Sequence, residues 1–166
     1  MAESQRPTRL LIICLGNICR SPMAEGLLRA RIEASPLRGS VQLDSVGTGN
    51  WHVGEPPDRR AIATMRRHGI DISSLCARHL AEADYREFDW LLCADGSNLR
   101  DLHTRAPTNI DKRASLLLEW AELADQELEI PDPYCGGERD FEQVFQLLDR
   151  AASSAVLRLL RERDGH

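Results

Sequence analysis

The stretch Cys14-Leu15-Gly16-Asn17-Ile18-Cys19-Arg20-Ser21-Pro22 constrains the fold of this chain more than any other. It grows out of a continuous apolar, β-compatible run, Leu10 to Cys14, that Leu15-Gly16-Asn17 cannot easily extend. The run therefore reads as a buried strand ending in a loop. Beyond the loop, Ser21 and Pro22 offer a helix cap and a proline at the first helical position. Met23, Ala24, Leu27, Leu28 and Ile32 then recur at helical spacing, to about Ala34.

The same strand, loop and helix succession continues down the chain. Val41 to Val46 reads as a second strand, Gly47 to Pro57 as a loop, and Asp58 to His68 as a helix closed by Gly69. Trp90 to Cys93 reads as a third strand before a helix near Ser97 to His103, and Ala114 to Leu118 as a fourth strand. Leu128 to Arg139 is a loop bearing Pro and Gly, and a long amphipathic helix carries Phe141, Val144, Phe145, Leu148 and onward to Leu159. The alternation predicts an α/β fold: a single domain with a four-stranded parallel sheet and helices on both faces. A chain of 166 residues fits one core. The domain is expected over residues 8–163, with 1–7 a flexible N-terminus. In such sheets ligands bind beyond the carboxyl ends of the strands, which puts the Cys14 loop and the loops after Val46 and Cys93 on one rim.

A short loop leading into a helix can aim successive backbone N–H groups at one anion, and the helix N-terminus adds partial positive charge there. A dianionic phosphoryl group suits that cradle, which makes it a phosphate-binding loop after the first strand. Arg20 can grip two of its oxygens with a planar fork that Lys could not match. The same donors favour Cys14 as thiolate, the form that attacks phosphorus. Gly16 permits close backbone approach, Asn17 suits bridging or a left-handed turn, and Ser21 can donate its hydroxyl to the thiolate. Taken alone, the loop suits a phosphatase, a reductase or a module that binds anions without reacting.

Composition removes other classes. Net charge is −5, with 21 basic against 26 acidic residues, which gives no footing for nucleic acid. Five cysteines, an odd number without regular spacing, argue against a secreted disulfide framework and fit a reducing, cytoplasmic setting. The run Leu10 to Cys14 is too short for a membrane span or a signal-peptide core. His52, His68, His79, His103 and His166 are scattered, and Cys14 with Cys19 lacks a second ligand pair, so no metal is expected.

Cys14 to Pro22 resembles the signature of the low-molecular-weight protein tyrosine phosphatase family. Asp44-Ser45, Trp51 to Asp58, Ala77-Arg78, Phe88-Asp89, Leu92 to Asp95, Asn98 to Leu102 and Asp132-Pro133-Tyr134 are similar to family segments in the same order. The resemblance runs from about Leu10 to Leu160. It implies two-step hydrolysis of phosphotyrosine through a cysteinyl phosphate without a metal or organic cofactor, with Cys14 as nucleophile, Arg20 as phosphate clamp, Asp132 as general acid and inorganic phosphate as product. By itself an Asp-Pro pair is most often a turn, so Asp132 owes its assignment to the resemblance. Leu15, Gly16, Asn17, Ile18, Cys19 and Ser21 would line or build the phosphate loop. Trp51 and Tyr134 would sandwich an aryl ring, and Ser45 and Asp95 would support the loop. Ile18 leans toward tyrosine, because a Thr tends to stand there in related arginine phosphatases. The partner is then a phosphotyrosine protein, with a bacterial tyrosine kinase suggested by family analogy.

The resemblance also implies that Cys19 can form a disulfide with Cys14 under oxidant. An arsenate reductase on the same scaffold would need a further cysteine relay, for which Cys76 and Cys93 are the only candidates. Two departures stand out. Tyr134 is followed by Cys135 and not by a second Tyr, and Leu75 replaces a His that in the family supports the Asn17 and Ser45 region. Asp95 is open to two readings, a buttress for the loop or a cap for the next helix.

Overall fold

Side-chain alternation along the first strand sets the architecture. In a computed structural model that describes residues 5–123 and 128–165, β1 spans Thr8–Cys14. Leu10, Ile12 and Cys14 point into one core, and Leu11 and Ile13 into another. Both cores are real because helices cover both faces of the sheet. β1 is central: β2 (Val41–Gly47) pairs with it on one side and β3 (Trp90–Cys93) on the other, and β4 (Ala114–Leu116) closes the order β2-β1-β3-β4. Every pairing is parallel, with Cys14 opposite Gly47 and Ile13 opposite Cys93.

The larger core lies under α1 (Arg20–Glu33), α2 (Arg59–Arg67), α5 (Leu117–Trp120) and α6 (Glu138–Asp164). Tyr85 and Phe88, at α3 (Asp84–Glu87), and Leu102 of α4 (Gly96–Arg105) line the smaller one. Leu10, Ile12, Met23 and Phe141 are essentially inaccessible. Each such side chain contributes about 1.5–3 kcal/mol relative to exposure. The sheet's floor is therefore rigid where the Cys14 loop leaves it.

Three local readings change. The fourth strand ends at Leu116, and Leu117 and Leu118 open α5, because a short apolar run carries no period that separates strand from helix. Helix α1 begins at Arg20, so Ser21 is not its cap. Cys19 holds the cap position without a side-chain hydrogen bond. Pro22 falls within the first turn, where its missing N–H costs nothing. The four-residue α3 has no counterpart in the sequence reading. Residues 1–4 of the expected flexible N-terminus lie outside the described residues, and Arg6 pairs with Asp89 at 2.5 Å.

Candidate active site

The loop from Leu15 to Cys19 is wound so that Asn17 takes a left-handed conformation, φ 57°. Its backbone N–H points at Cys14 Sγ, 3.3 Å away. Among the described residues, the N–H groups of Leu15, Gly16, Ile18, Cys19 and Arg20 donate to no protein acceptor. Buried or half-buried donors are nearly always paired, so a run of uncommitted ones marks an anion cradle. β2 comes close behind it: a Cβ on Gly47 would lie 2.8 Å from the Leu15 carbonyl oxygen, so only glycine fits there.

Asn17 is the loop's internal strut. Its Oδ1 accepts from the backbone N–H of Arg78 at 2.9 Å, which fixes the amide so that both of its hydrogens are available. Asn17 Nδ2 donates to Ser21 Oγ at 2.7 Å and to Ser45 Oγ at 3.0 Å. With Ser21 Oγ thus accepting, its own hydrogen is free for Cys14 Sγ, 2.9 Å away. Ser45 Oγ in turn donates to Glu25 Oε1 at 2.6 Å, and Arg29 donates to Glu25 Oε2 at 2.7 Å. Glu25 is 4% exposed. It is the member of this chain that sequence reading missed, and it occupies the supporting role left open by Leu75, which instead packs against the core. Arg78, of the Ala77-Arg78 pair, holds both Asp44 and the buried Asp84 through its guanidinium.

Arg20 is 3% exposed, its Nη1 donating to Asp95 Oδ2 at 2.6 Å and to the Ile130 carbonyl at 2.9 Å. Burial works against its charge, but Cys14, Asp95 and Asp132 together outweigh that and leave it more firmly protonated than usual. Asp95 resolves its two readings by doing both. Oδ2 takes Arg20 while Oδ1 accepts from Asn98 N at 2.9 Å, capping α4. Burial of Asp95 is likewise outweighed, chiefly by the Arg20 hydrogen bond, and its carboxyl sits below the ordinary carboxylate range.

Asp132 Oδ2 lies 3.6 Å from Arg20 Nη2, and Oδ1 accepts from the Tyr134 backbone N–H at 3.0 Å. Cys14, Arg20, Asp132, Trp51, Tyr134 and Ile18 all line one pocket of ≈ 200 Å³. Leu15, Gly16 and Cys19 reach it too, whereas Asn17, Ser21, Ser45 and Asp95 lie behind its wall. Trp51 and Tyr134 are 68% and 50% exposed, so their rings stand at the mouth and not in the core. His52, passed over in sequence as one of five scattered histidines, is also in this wall, with Nδ1 2.6 Å from Glu55 Oε2.

The arsenate-reductase relay finds no support. Cys93 is inaccessible and belongs to the opposite core from Cys14, and burial pushes its thiol up. Among the described residues no group of three or more His, Cys, Asp or Glu could hold a metal ion, and no helix is long and apolar enough to cross a membrane.

A thiol at the foot of a loop of uncommitted N–H groups, at a helix start on a parallel sheet, defines an anion-binding nucleophile site. The family model for low molecular weight phosphotyrosine protein phosphatases matches residues 9–164, and the chain belongs to that family. A low molecular weight phosphotyrosine protein phosphatase of Homo sapiens is 40% identical over 146 residues, covering 88% of this chain and 91% of the relative. The crystal structure of YfkJ from Bacillus subtilis superposes with a TM-score of 0.88 at 33% identity, covering 96% of this chain and 98% of that one. A protein tyrosine phosphatase from Entamoeba histolytica, with Hepes in its active site, superposes with a TM-score of 0.87 at 30% identity, covering 94% and 99%.

Proposed function

We propose that this protein hydrolyses phosphotyrosine in proteins in two steps at Cys14. Phosphate oxygens sit among the N–H groups of the loop, and Arg20 moves one face of its fork onto them. Donors already aimed at the developing charge lower the barrier without reorganisation. The Cys14 thiolate attacks phosphorus, the S–P bond forms and the P–O bond to the tyrosine ring breaks. Asp132, protonated, gives its proton to the departing phenolate oxygen. In the second step Asp132, now carboxylate, takes a proton from water. The water oxygen bonds to phosphorus, the S–P bond breaks and inorganic phosphate leaves. Ser21 stabilises the thiolate that is released, since hydrogen bonds to a charged acceptor are the stronger kind.

The carrying observation is the shared pocket in which the cradle, Arg20 and Asp132 face one cysteine. Trp51, Tyr134 and Ile18 at its mouth suit a flat aryl ring. No cofactor has a part in this scheme. We assign the domain that carries it to residues 8–163 and its setting to the cytoplasm, and family analogy puts a bacterial tyrosine kinase among its substrates. Rapid mixing with p-nitrophenyl phosphate tests the chemistry. A burst of p-nitrophenol equal to the enzyme concentration is expected. A folded protein that binds phosphate and gives neither burst nor turnover would show a binding module instead.

A further inference from the structure

The pocket that holds Cys14 opens over a saddle made by Ile18, His52 and Tyr134 into a second and larger cavity, ≈ 880 Å³ against ≈ 200 Å³. Beyond that shared saddle, the proposed chemistry uses nothing in it. Its floor is Pro56, Pro57 and Ala63, and its charged wall comes from the start of α2. Arg59–Arg67 contains four arginines and no acidic residue. The carboxylates of the cavity are already partnered. Glu55 meets His52 at 2.6 Å, Asp58 meets Arg60 at 3.0 Å, and Glu138 meets Arg67 at 3.0 Å. Arg60 is further committed to the carbonyls of Tyr134 and Gly136, both at 2.9 Å. Arg59 alone among the arginines lining the cavity has no hydrogen-bond or ion-pair partner among the described residues, and it is exposed.

We propose that this cavity seats the polypeptide flanking the phosphotyrosine, with Arg59 receiving an acidic side chain of the substrate. The inference rests on the phosphatase reading above. Continuity with the catalytic pocket supplies the path: Asp58 N donates to the Ile18 carbonyl at 2.7 Å, so the start of α2 abuts the saddle directly. At about 3.3 Å per extended residue, a substrate side chain only a few positions from the phosphotyrosine comes to Arg59. Pro56 and Pro57 suit an extended backbone passing over them, and with Glu55, Asp58 and Glu138 each held by a neighbouring side chain, Arg59 is the guanidinium of this wall left without a partner among the described residues. The occupant is thus an acidic peptide flank.

The test compares two phosphotyrosine peptides, flanked by Glu or by Lys, through kcat/KM at low ionic strength, where exposed charges are least screened. Wild type is expected to favour the Glu peptide about tenfold, attraction for one flank adding to repulsion of the other. Arg59→Glu is expected to abolish or invert that ratio. Arg86→Glu, the same charge reversal on α3 outside the cavity, keeps it at the wild-type value and so separates local contact from net charge. Ala63→Trp, which fills the floor, is expected to lower kcat/KM for both peptides. Equal wild-type rates on the two peptides, a Lys preference, or an Arg86→Glu effect as large as that of Arg59→Glu would overturn the proposal. p-Nitrophenyl phosphate, which has no flank, tells its failure apart from that of the underlying reading: turnover of this ester with flank-blind peptides removes the groove alone, whereas no turnover removes both.

Discussion

Glu25 and Ser45 are bound by a buried 2.6 Å hydrogen bond between α1 and β2, and the bond has a direction. A carboxylate only accepts, so Ser45 must donate to Glu25, must then accept from Asn17, and Ser21 must likewise accept from Asn17. The last hydrogen in the chain therefore goes to Cys14. Glu25→Ala frees Ser45 to donate elsewhere and weakens this polarity. We expect kcat for p-nitrophenyl phosphate to fall about tenfold while the burst persists, because release of the thiolate is the step affected. Ser21→Ala, which removes the donor itself, should cost about ten- to hundredfold, as loss of a hydrogen bond to a charged group does. Equal slowing of burst and steady state in both variants would argue against the relay.

Asp132 is asked to protonate the leaving group, a need that vanishes as the leaving group becomes more acidic. Asp132→Ala should lower kcat/KM for phenyl phosphate by about 10²–10⁴-fold and for p-nitrophenyl phosphate by much less. A loss independent of leaving-group pKa would reassign the acid.

Arg60 ties α2 to the acid loop through the carbonyls of Tyr134 and Gly136, and its guanidinium also lies 4.6 Å from the Phe141 ring centroid. Arg60→Ala should leave the cradle intact but let Asp132 wander. The expected result is about a ten- to hundredfold drop in turnover of phenyl phosphate with faster amide exchange over 132–137. Unchanged exchange there would remove the tether.

Asp95 and Asp58 both sit below the ordinary carboxylate range. For each, burial is outweighed by hydrogen bonds, from Arg20 to Asp95 and from Arg60 to Asp58. Folded protein therefore binds these protons less readily than unfolded protein does. The stability they contribute is fully present above about pH 4 and is lost as pH falls through the lower folded values. Urea midpoints should decline steeply below about pH 4 in wild type and less steeply in Asp95→Asn. Identical slopes would place the acid sensitivity elsewhere.

Cys19 is 5% exposed, and burial, then the charge of Asp58, push its thiol up. It rests protonated. Peroxide would convert the Cys14 thiolate to a sulfenic acid, and Cys19 would then displace water to close a disulfide, giving up its proton. Wild-type activity should return with dithiothreitol, and Cys19→Ser should lose activity irreversibly. Irreversible loss in both proteins would dismiss the switch.

The cradle was legible in sequence because its signals are local: an apolar run, a loop with Gly16 and Asn17, and Pro22 inside the next turn. Trp90 to Cys93 was legible to the residue for the same reason, a buried strand bounded on both sides. Glu25 was not, since a glutamate in a helix ordinarily faces water, and only Ser45 and Arg29, from β2 and the next turn, make its burial tolerable. His52 failed similarly, because its place in the wall depends on how the loop after β2 folds back over Gly16. Leu117 and Leu118 were misassigned because hydrophobicity without period carries no geometry.

Asn17 is held in its left-handed turn by the protein's own groups, the Arg78 amide, Ser21 and Ser45. The cradle is thus a mould cast before anything is poured into it, and it recognises tetrahedral shape and double charge whatever the central atom. The product satisfies that description as well as the substrate does. On the proposed mechanism free phosphate would accordingly act as a brake built into the catalyst, and turnover in a phosphate-rich setting would report how much of the mould is empty as much as how fast it works.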